Sequence, residues 1–307
     1  MKKGTSLKRP NLSEEVKALQ TDQLKMRDGF HVSLAIFIAE ETKAVVQIIH
    51  GSTEHKARYY EFARVLQTEG YSVVVSDNRG HGASVNQTYP LGFMAGAEEI
   101  VRDQVEITNF IKERFPNQDL YLFGHSLGSL FARMYIQQHD TKIKKLILSG
   151  APYYNPAVPL GILLGKLMTA CSGRYKRNRL LNWLCSNSKN DSWLSVNQEN
   201  IARYRQDPLC QYLYTNTAAL TVFEADHALR HFKHNACDHP ELDILFISGA
   251  LDPITGGEKG LRHSIWLLQQ AGYTKFTNIV YPNMLHEVLH EDEQELVYQD
   301  VIAFLNR

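Results

Sequence analysis

Short apolar runs rich in β-branched residues alternate with segments of helical spacing along most of this chain, and that alternation leaves few folds open. Stretches 31–38 (HVSLAIFI), 44–49 (AVVQII), 71–76 (YSVVVS), 120–123, 144–149, 243–248 and 275–281 read as strands. Helical patterns fall between them at 55–68, 95–114, 127–138, 257–270 and 291–305. Strands that are apolar throughout are buried on both faces, so the sheet is expected to be mostly parallel and covered by helices on each side. The rhythm stops after Gly150 and resumes at Asp243. The interruption, rich in Tyr, Leu, Trp and Arg, carries several helical patterns of its own. It predicts a helical cap inserted at the C-terminal edge of the sheet, where open α/β sheets bind ligands. The expected organisation is core 1–151, cap 152–240 and core 241–307.

Composition serves mainly to exclude. Lys+Arg and Asp+Glu both number 33, so no global field draws the 307-residue chain to nucleic acid. The basic start MKKGTSLKRPNLSEE is followed by no apolar run, which argues against a secretory leader. The longest apolar stretch, 158–168, contains Lys166 and is shorter than the roughly 18 residues a membrane span needs. Cys171, Cys185, Cys210 and Cys237 are widely spaced without a CxxC pair. Reduced thiols, no disulfide, no metal and a cytoplasmic address are the expectations.

Chemistry concentrates in Gly124-His125-Ser126-Leu127-Gly128, which follows a strand and precedes a helix. A turn this tight needs small flanking residues and lifts the serine hydroxyl above the sheet edge. It also puts the Leu127 N–H at a helix start, where a developing oxyanion would be met. A serine nucleophile needs a base, and the base needs a group to fix its tautomer. In a fold of this order the acid and then the histidine follow the serine, each after a strand. Asp252 and His286 satisfy that order. Among the rivals, His290 falls at an expected helix start, and Asp243 sits at the wrong end of its strand. His139, His227, His231, His234 and His239 lie in helices or the cap. The loop after 44–49, His50-Gly51-Ser52-Thr53-Glu54-His55, is the candidate for the other oxyanion donor, through the Ser52 N–H.

These motifs resemble the monoglyceride lipase and lysophospholipase branch of the α/β-hydrolases, often labelled serine aminopeptidase-like. The resemblance is carried by HGSTEH from His50, YYEFA from Tyr59, GYSVVVSDNRGHGAS from Gly70, GHSLG from Gly124 and PNMLHEVLHE from Pro282. The cap segment WLSVNQENIARYRQDPLC from Trp193 is similar to bacterial lysophospholipase-like members. The resemblance covers the chain from about Gln23 to its end. It implies eight strands, a helical cap, a triad of Ser126, Asp252 and His286, and oxyanion donors at Ser52 and Leu127, with no cofactor. It also implies ester substrates such as lysophospholipids or monoacylglycerols. The Ser and Thr in HGSTEH replace the small residues, Gly included, of monoglyceride-type relatives.

The Gly-rich run DNRGHGAS from Asp77 lacks the Gly-Lys-Ser/Thr ending of a phosphate loop and reads as a structural turn. Its Asp77 and Arg79 are expected to brace neighbouring loops. Within the cap, 158–168 offers an apolar face, and Arg174, Lys176, Arg177 and Arg179 follow it. Packing on the core accounts for such a face; transient contact with an anionic membrane surface is the other reading. An aminopeptidase would need an acidic pocket, for which Glu224, Asp226 or Asp238 stand available. A binding protein without catalysis would be expected to lack a triad member, and epoxide or haloalkane chemistry would ask for Asp at position 126.

Overall fold

A computed structural model describes residues 19–186, 191–231 and 237–307 of the chain. The basic N-terminal stretch and His234 lie outside the described residues. Eight strands form one sheet: β1 (Leu19–Lys25), β2 (His31–Phe37), β3 (Ala44–Ile49), β4 (Tyr71–Ser76), β5 (Asp119–His125), β6 (Lys145–Ser149), β7 (Asp243–Gly249) and β8 (Lys275–Tyr281). Their spatial order is β1-β2-β4-β3-β5-β6-β7-β8. The pairs β1–β2 and β2–β4 are antiparallel and the rest parallel. This is the α/β-hydrolase architecture anticipated above.

Every residue of β3 and β4 is buried, and alternate side chains enter two separate cores. Val45, Ile49 and Val74 join the helices α2 (Ala97–Arg114), α3 (Leu127–His139) and α8 (Gly257–Ala271) on one face. Val46, Ile48, Val73 and Val75 meet α1 (Tyr60–Thr68) and α9 (Gln294–Leu305) on the other. The chain leaves β3 toward β4 on one side and returns to β5 on the other. The loops after β3 and β5 therefore open side by side at a topological switch point, the usual ligand crevice of such sheets.

Three boundaries differ from expectation, each for a local reason. Strand β1 supplies the eighth strand that the resemblance implies, but it is not among the seven runs read from the sequence. Its sequence LQTDQLK is mostly exposed at the sheet edge and has no apolar face to betray it. The helix expected from residue 55 begins as a 3₁₀ turn, Lys56–Tyr59, whose start is anchored by Asp77: the Lys56 N–H and Nζ both bond its carboxylate, at 2.8 and 2.5 Å. His290 closes a 3₁₀ turn, Val288–His290, instead of starting a helix. Glu291 turns inward there, accepting from Leu285 N–H at 2.7 Å and Ser195 Oγ at 2.6 Å, and α9 starts only at Gln294.

Between β6 and β7 the chain forms α4 (Val158–Ser172), α5 (Arg179–Ser186), α6 (Gln198–Gln206) and α7 (Asn216–Ala228). Helix α4 packs on α7 through its small residues. A Cβ on Gly161 would lie 2.8 Å from the Phe223 ring, and one on Gly165 would lie 3.2 Å from Leu220. The larger Leu160, Leu163 and Leu167 are left 58, 64 and 50% exposed.

Candidate active site

Ser126 sits between β5 and α3 at φ 50°, ψ −118°, a left-handed backbone that costs on the order of 1–3 kcal/mol for a residue with a side chain. The flanking glycines make room for it. A Cβ on Gly128 would lie 2.2 Å from the Ile49 carbonyl oxygen, and one on Gly124 would lie 2.6 Å from that of Gly128. Helix α3 thus starts hard against β3, and Leu127 is its first residue. At that position the N–H has no helical acceptor and lies at the positive end of the helix dipole.

His286 and Asp252 are brought together directly: Nδ1 lies 2.8 Å from Oδ2, and both residues are buried. Since the carboxylate accepts, Nδ1 carries the proton and Nε2 has the free lone pair. The second Asp252 oxygen accepts the Ile254 N–H at 2.7 Å, which holds the carboxylate in place. His286 Nε2 is buried and bonds no other described group; no hydrogen bond joins Ser126 Oγ to it. The two residues line one cavity of about 570 Å³, with Trp193 and the His125 ring each centred 4.9 Å from the His286 ring. Catalytic hydrogen bonds of this kind commonly tighten only on substrate binding. His290 packs its ring on Tyr59 and does not line that cavity. Asp243 begins β7, at the opposite end of the strand from the site.

The loop after β3 abuts the turn that carries Ser126: a Cβ on Gly51 would lie 3.2 Å from that of Ser126. His50 Nδ1 donates to the Gly51 carbonyl at 2.8 Å, while its Nε2 accepts the Asn78 N–H at 2.9 Å. Those two partners allow only the neutral Nδ1–H tautomer, and burial lowers the His50 pKa accordingly. The Gly51 carbonyl and the Ser52 N–H belong to one planar trans peptide and point opposite ways. His50 thereby fixes the direction in which the Ser52 N–H faces.

Beneath the loop lies a charged web that inspection of the sequence did not single out. Glu54 accepts from Gly51 N–H at 2.5 Å, Tyr59 O–H at 2.7 Å and Arg58 Nε at 3.0 Å. Arg58 also pairs with Glu287, whose carboxylate accepts from Asn200 of α6 at 2.7 Å. Burial alone would raise Glu54, but neighbouring positive charge, Arg58 included, and the Tyr59 hydroxyl hold it at about 2. Burial raises Glu287. The i,i+4 spacing of Glu54 and Arg58 beside the HG dipeptide, and a carboxylate next to His286, were the available signals.

The turn after β4 braces the same region. Arg79 bonds Asp103 and Asp28, each at 2.6 Å, and Asp77 holds Lys56, consistent with a supporting role for DNRGHGAS. Of the acidic candidates in the insertion, Asp226 lines the cavity; Glu224 and Asp238 do not. Among the described residues, His55, Asp207 and Cys210 offer metal-ligand atoms within 4.8 Å of one another. His55 and Asp207 are already paired at 2.8 Å, and the nearby positive charge of Arg58 acts on both Asp207 and Cys210, which opposes a cation.

The sheet order and the elbow after β5 define an α/β-hydrolase. The chain belongs to the family described as serine aminopeptidase, S33, whose model matches residues 40–293. It is 30% identical over 171 residues to a monoglyceride lipase homolog of Monkeypox virus, covering 55% of this chain and 58% of that protein. It is 25% identical over 285 residues to phospholipase YtpA of Bacillus subtilis, covering 88% and 97%. The chain thus spans little more than half of the viral relative and nearly all of the bacterial one. A carboxyl esterase from Bacillus coagulans shares the fold, with a TM-score of 0.81 at 21% identity over 94% of this chain and 98% of that one. No helix among the described residues is long and apolar enough to cross a membrane.

Proposed function

We propose that this chain is a carboxylic-ester hydrolase acting on lysophospholipids or monoacylglycerols, with Ser126 as nucleophile, His286 as general base and Asp252 as its orienting carboxylate. The observation that carries the reading is the strained Ser126 facing the cavity that also receives a histidine locked by an aspartate. His286 Nε2 takes the hydroxyl proton as Oγ bonds the ester carbonyl carbon, and the carbonyl π electrons move to oxygen. The Ser52 and Leu127 N–H groups receive that oxyanion, each worth on the order of 3 kcal/mol. When the tetrahedral adduct collapses, the carbon–alkoxide bond breaks and His286 returns the proton to the leaving alcohol. Water repeats the sequence on the acyl-enzyme, releasing the carboxylic acid and restoring Ser126. No step calls on a metal or organic cofactor.

The names of the viral and bacterial relatives favour a glycerolipid ester over a small soluble one. Residues 152–240 are read as a cap over the acyl side, since Val158, Trp183 and Phe223 line the cavity. The exposed Leu160, Leu163 and Leu167, with Arg174, Lys176, Arg177 and Arg179 exposed beyond them, support transient contact with an anionic lipid surface by a cytoplasmic protein. An aminopeptidase is the second reading, favoured by Asp226, whose Oδ1 is buried in the cavity wall without a partner among the described residues. It is the weaker one. Burial lifts Asp226 to about 7, and the positive charges of Arg133 and Arg230 already act on it.

The deciding experiment compares monoacylglycerol, lysophosphatidylcholine and aminoacyl p-nitroanilides, with Ser126→Ala as the blank. Ester turnover that vanishes in the blank supports the proposal. Faster release from the anilides would move the chain to the peptidase reading, and no turnover by folded wild type would leave a binding protein.

A further inference from the structure

Ser52 is flanked by two peptide units, and different parts of the molecule hold them. The first, between Gly51 and Ser52, is pinned by His50 from within the core. The second carries the Thr53 N–H, which donates to the hydroxyl of Tyr214 at 3.0 Å. The same phenol oxygen accepts from Ser52 Oγ at 3.1 Å. Its own proton has a defined destination. His81 Nδ1 lies 3.0 Å from the Arg79 carbonyl, which can only accept, so Nδ1 carries the hydrogen and Nε2 is an acceptor. Tyr214 therefore donates to His81 Nε2, 3.0 Å away. Burial keeps His81 near 3 and hence neutral at working pH. A phenol has one donor and two lone pairs, and all three are used.

Tyr214 is buried, but it belongs neither to the sheet nor to the helices that flank it. It lies in the insertion between α6 and α7, its backbone gripped by Asn182 of α5: Oδ1 accepts from Tyr214 N–H at 2.7 Å and Nδ2 donates to its carbonyl at 2.9 Å. Thr53 itself stands at φ 49°, an unfavourable backbone for a β-branched residue, which persists only where the surroundings enforce it.

We propose that Tyr214 is a positioning residue for the oxyanion loop, carrying the seating of the insertion into the alignment of the Ser52 N–H with the reacting carbonyl. The inference rests on the ester-hydrolase reading and deepens it. The hydroxyl touches no reacting atom; it fixes the peptide after Ser52, as His50 fixes the one before it. Loss of the hydroxyl leaves the Thr53 N–H without its partner and loosens the Ser52–Thr53 peptide, although Tyr204 still bonds Thr53 Oγ1 at 2.9 Å. The cost falls on the transition state, because the ground-state carbonyl depends less on that donor.

Tyr214→Phe keeps the ring and removes only the hydroxyl. On p-nitrophenyl butyrate, kcat is expected to fall by about 10- to 100-fold, below the loss for deleting a whole oxyanion donor, with KM within about threefold of wild type. Affinity for a trifluoromethyl ketone, which forms an oxyanion with Ser126, should fall by a similar factor, while affinity for butyrate stays put. Asn182→Ala, which loosens the Tyr214 backbone but keeps the phenol, should show the same pattern more weakly and add little to Tyr214→Phe in the double variant. An unchanged kcat, an equal loss of affinity for ketone and butyrate, or full additivity would each overturn the proposal. Wild type without esterase activity would instead defeat the ester reading. Active wild type beside an equally active Tyr214→Phe would defeat this inference alone.

Discussion

Burial acts to lower the His286 imidazole and the Asp252 carboxylate acts to raise it; the anions win, with Glu287 and Glu54 adding to Asp252. The base role proposed for His286 requires a neutral imidazole. The acid limb of kcat/KM on a soluble ester is therefore expected at an apparent pKa above the ordinary 6.5 of histidine, with activity lost as pH falls through it. Asp252→Asn should lower kcat by roughly 10⁴-fold through the wrong tautomer and shift that limb downward. A wild-type limb at or below the ordinary value would contradict the arrangement. Ser126, Asp252 and His286 were legible in the sequence because each occupies a position that strand order and the glycine-flanked turn dictate. Tyr214 was not legible. Its partners Ser52 and Thr53 lie 162 and 161 residues away, and nothing local marks one tyrosine between β6 and β7 from its neighbours.

Elements meet at the web of Glu54, Arg58 and Glu287, which ties the loop after β3 and the start of α1 to the histidine loop and, through Asn200, to α6. Arg58→Met would leave two carboxylates buried together and is expected to destabilise the fold by about 3–5 kcal/mol near neutral pH. The pH dependence follows from Glu54, held at about 2 against its ordinary 4.5. A depressed carboxylate contributes stability above its unfolded pKa and loses it as pH falls through the folded value. Glu287 is raised and works in the opposite sense, so the clearest reading comes from the difference between proteins. Urea denaturation should show the Arg58→Met deficit largest above pH 4.5 and shrinking toward pH 2. A deficit that grows on acidification would refute the pairing. This web was hidden because Arg58 and Glu287 stand 229 residues apart, and each reads alone as an ordinary surface charge. The strands were plain for the opposite reason: a run buried on both faces, such as β4, has no polar alternative.

At the scale of the whole molecule, the sheet presents its switch point to the insertion, and the insertion presents a leucine-bearing helix to the outside. Packing through Gly161 and Gly165 lets α4 lie close on α7 with Leu160, Leu163 and Leu167 turned away. Replacing Leu160, Leu163 and Leu167 together by Ser removes apolar area where little is packed. It should cost little stability yet weaken binding to anionic vesicles by at least tenfold, since a few buried leucines are worth several kcal/mol at an interface. Hydrolysis of p-nitrophenyl butyrate in solution should stay near wild type, whereas turnover of vesicle-borne monoacylglycerol should drop. Equal vesicle binding by the two proteins would remove the membrane role and leave the ester chemistry untouched.

That chemistry is tested most directly by exposing the folded protein to a fluorophosphonate and mapping the adduct by mass spectrometry, beside Ser126→Ala. The account predicts one modified peptide carrying the phosphonate on Ser126, formed faster above the His286 pKa than below it, and no adduct in the variant. A modified residue other than Ser126, or an unlabelled wild type whose melting curve shows it fully folded, would contradict it.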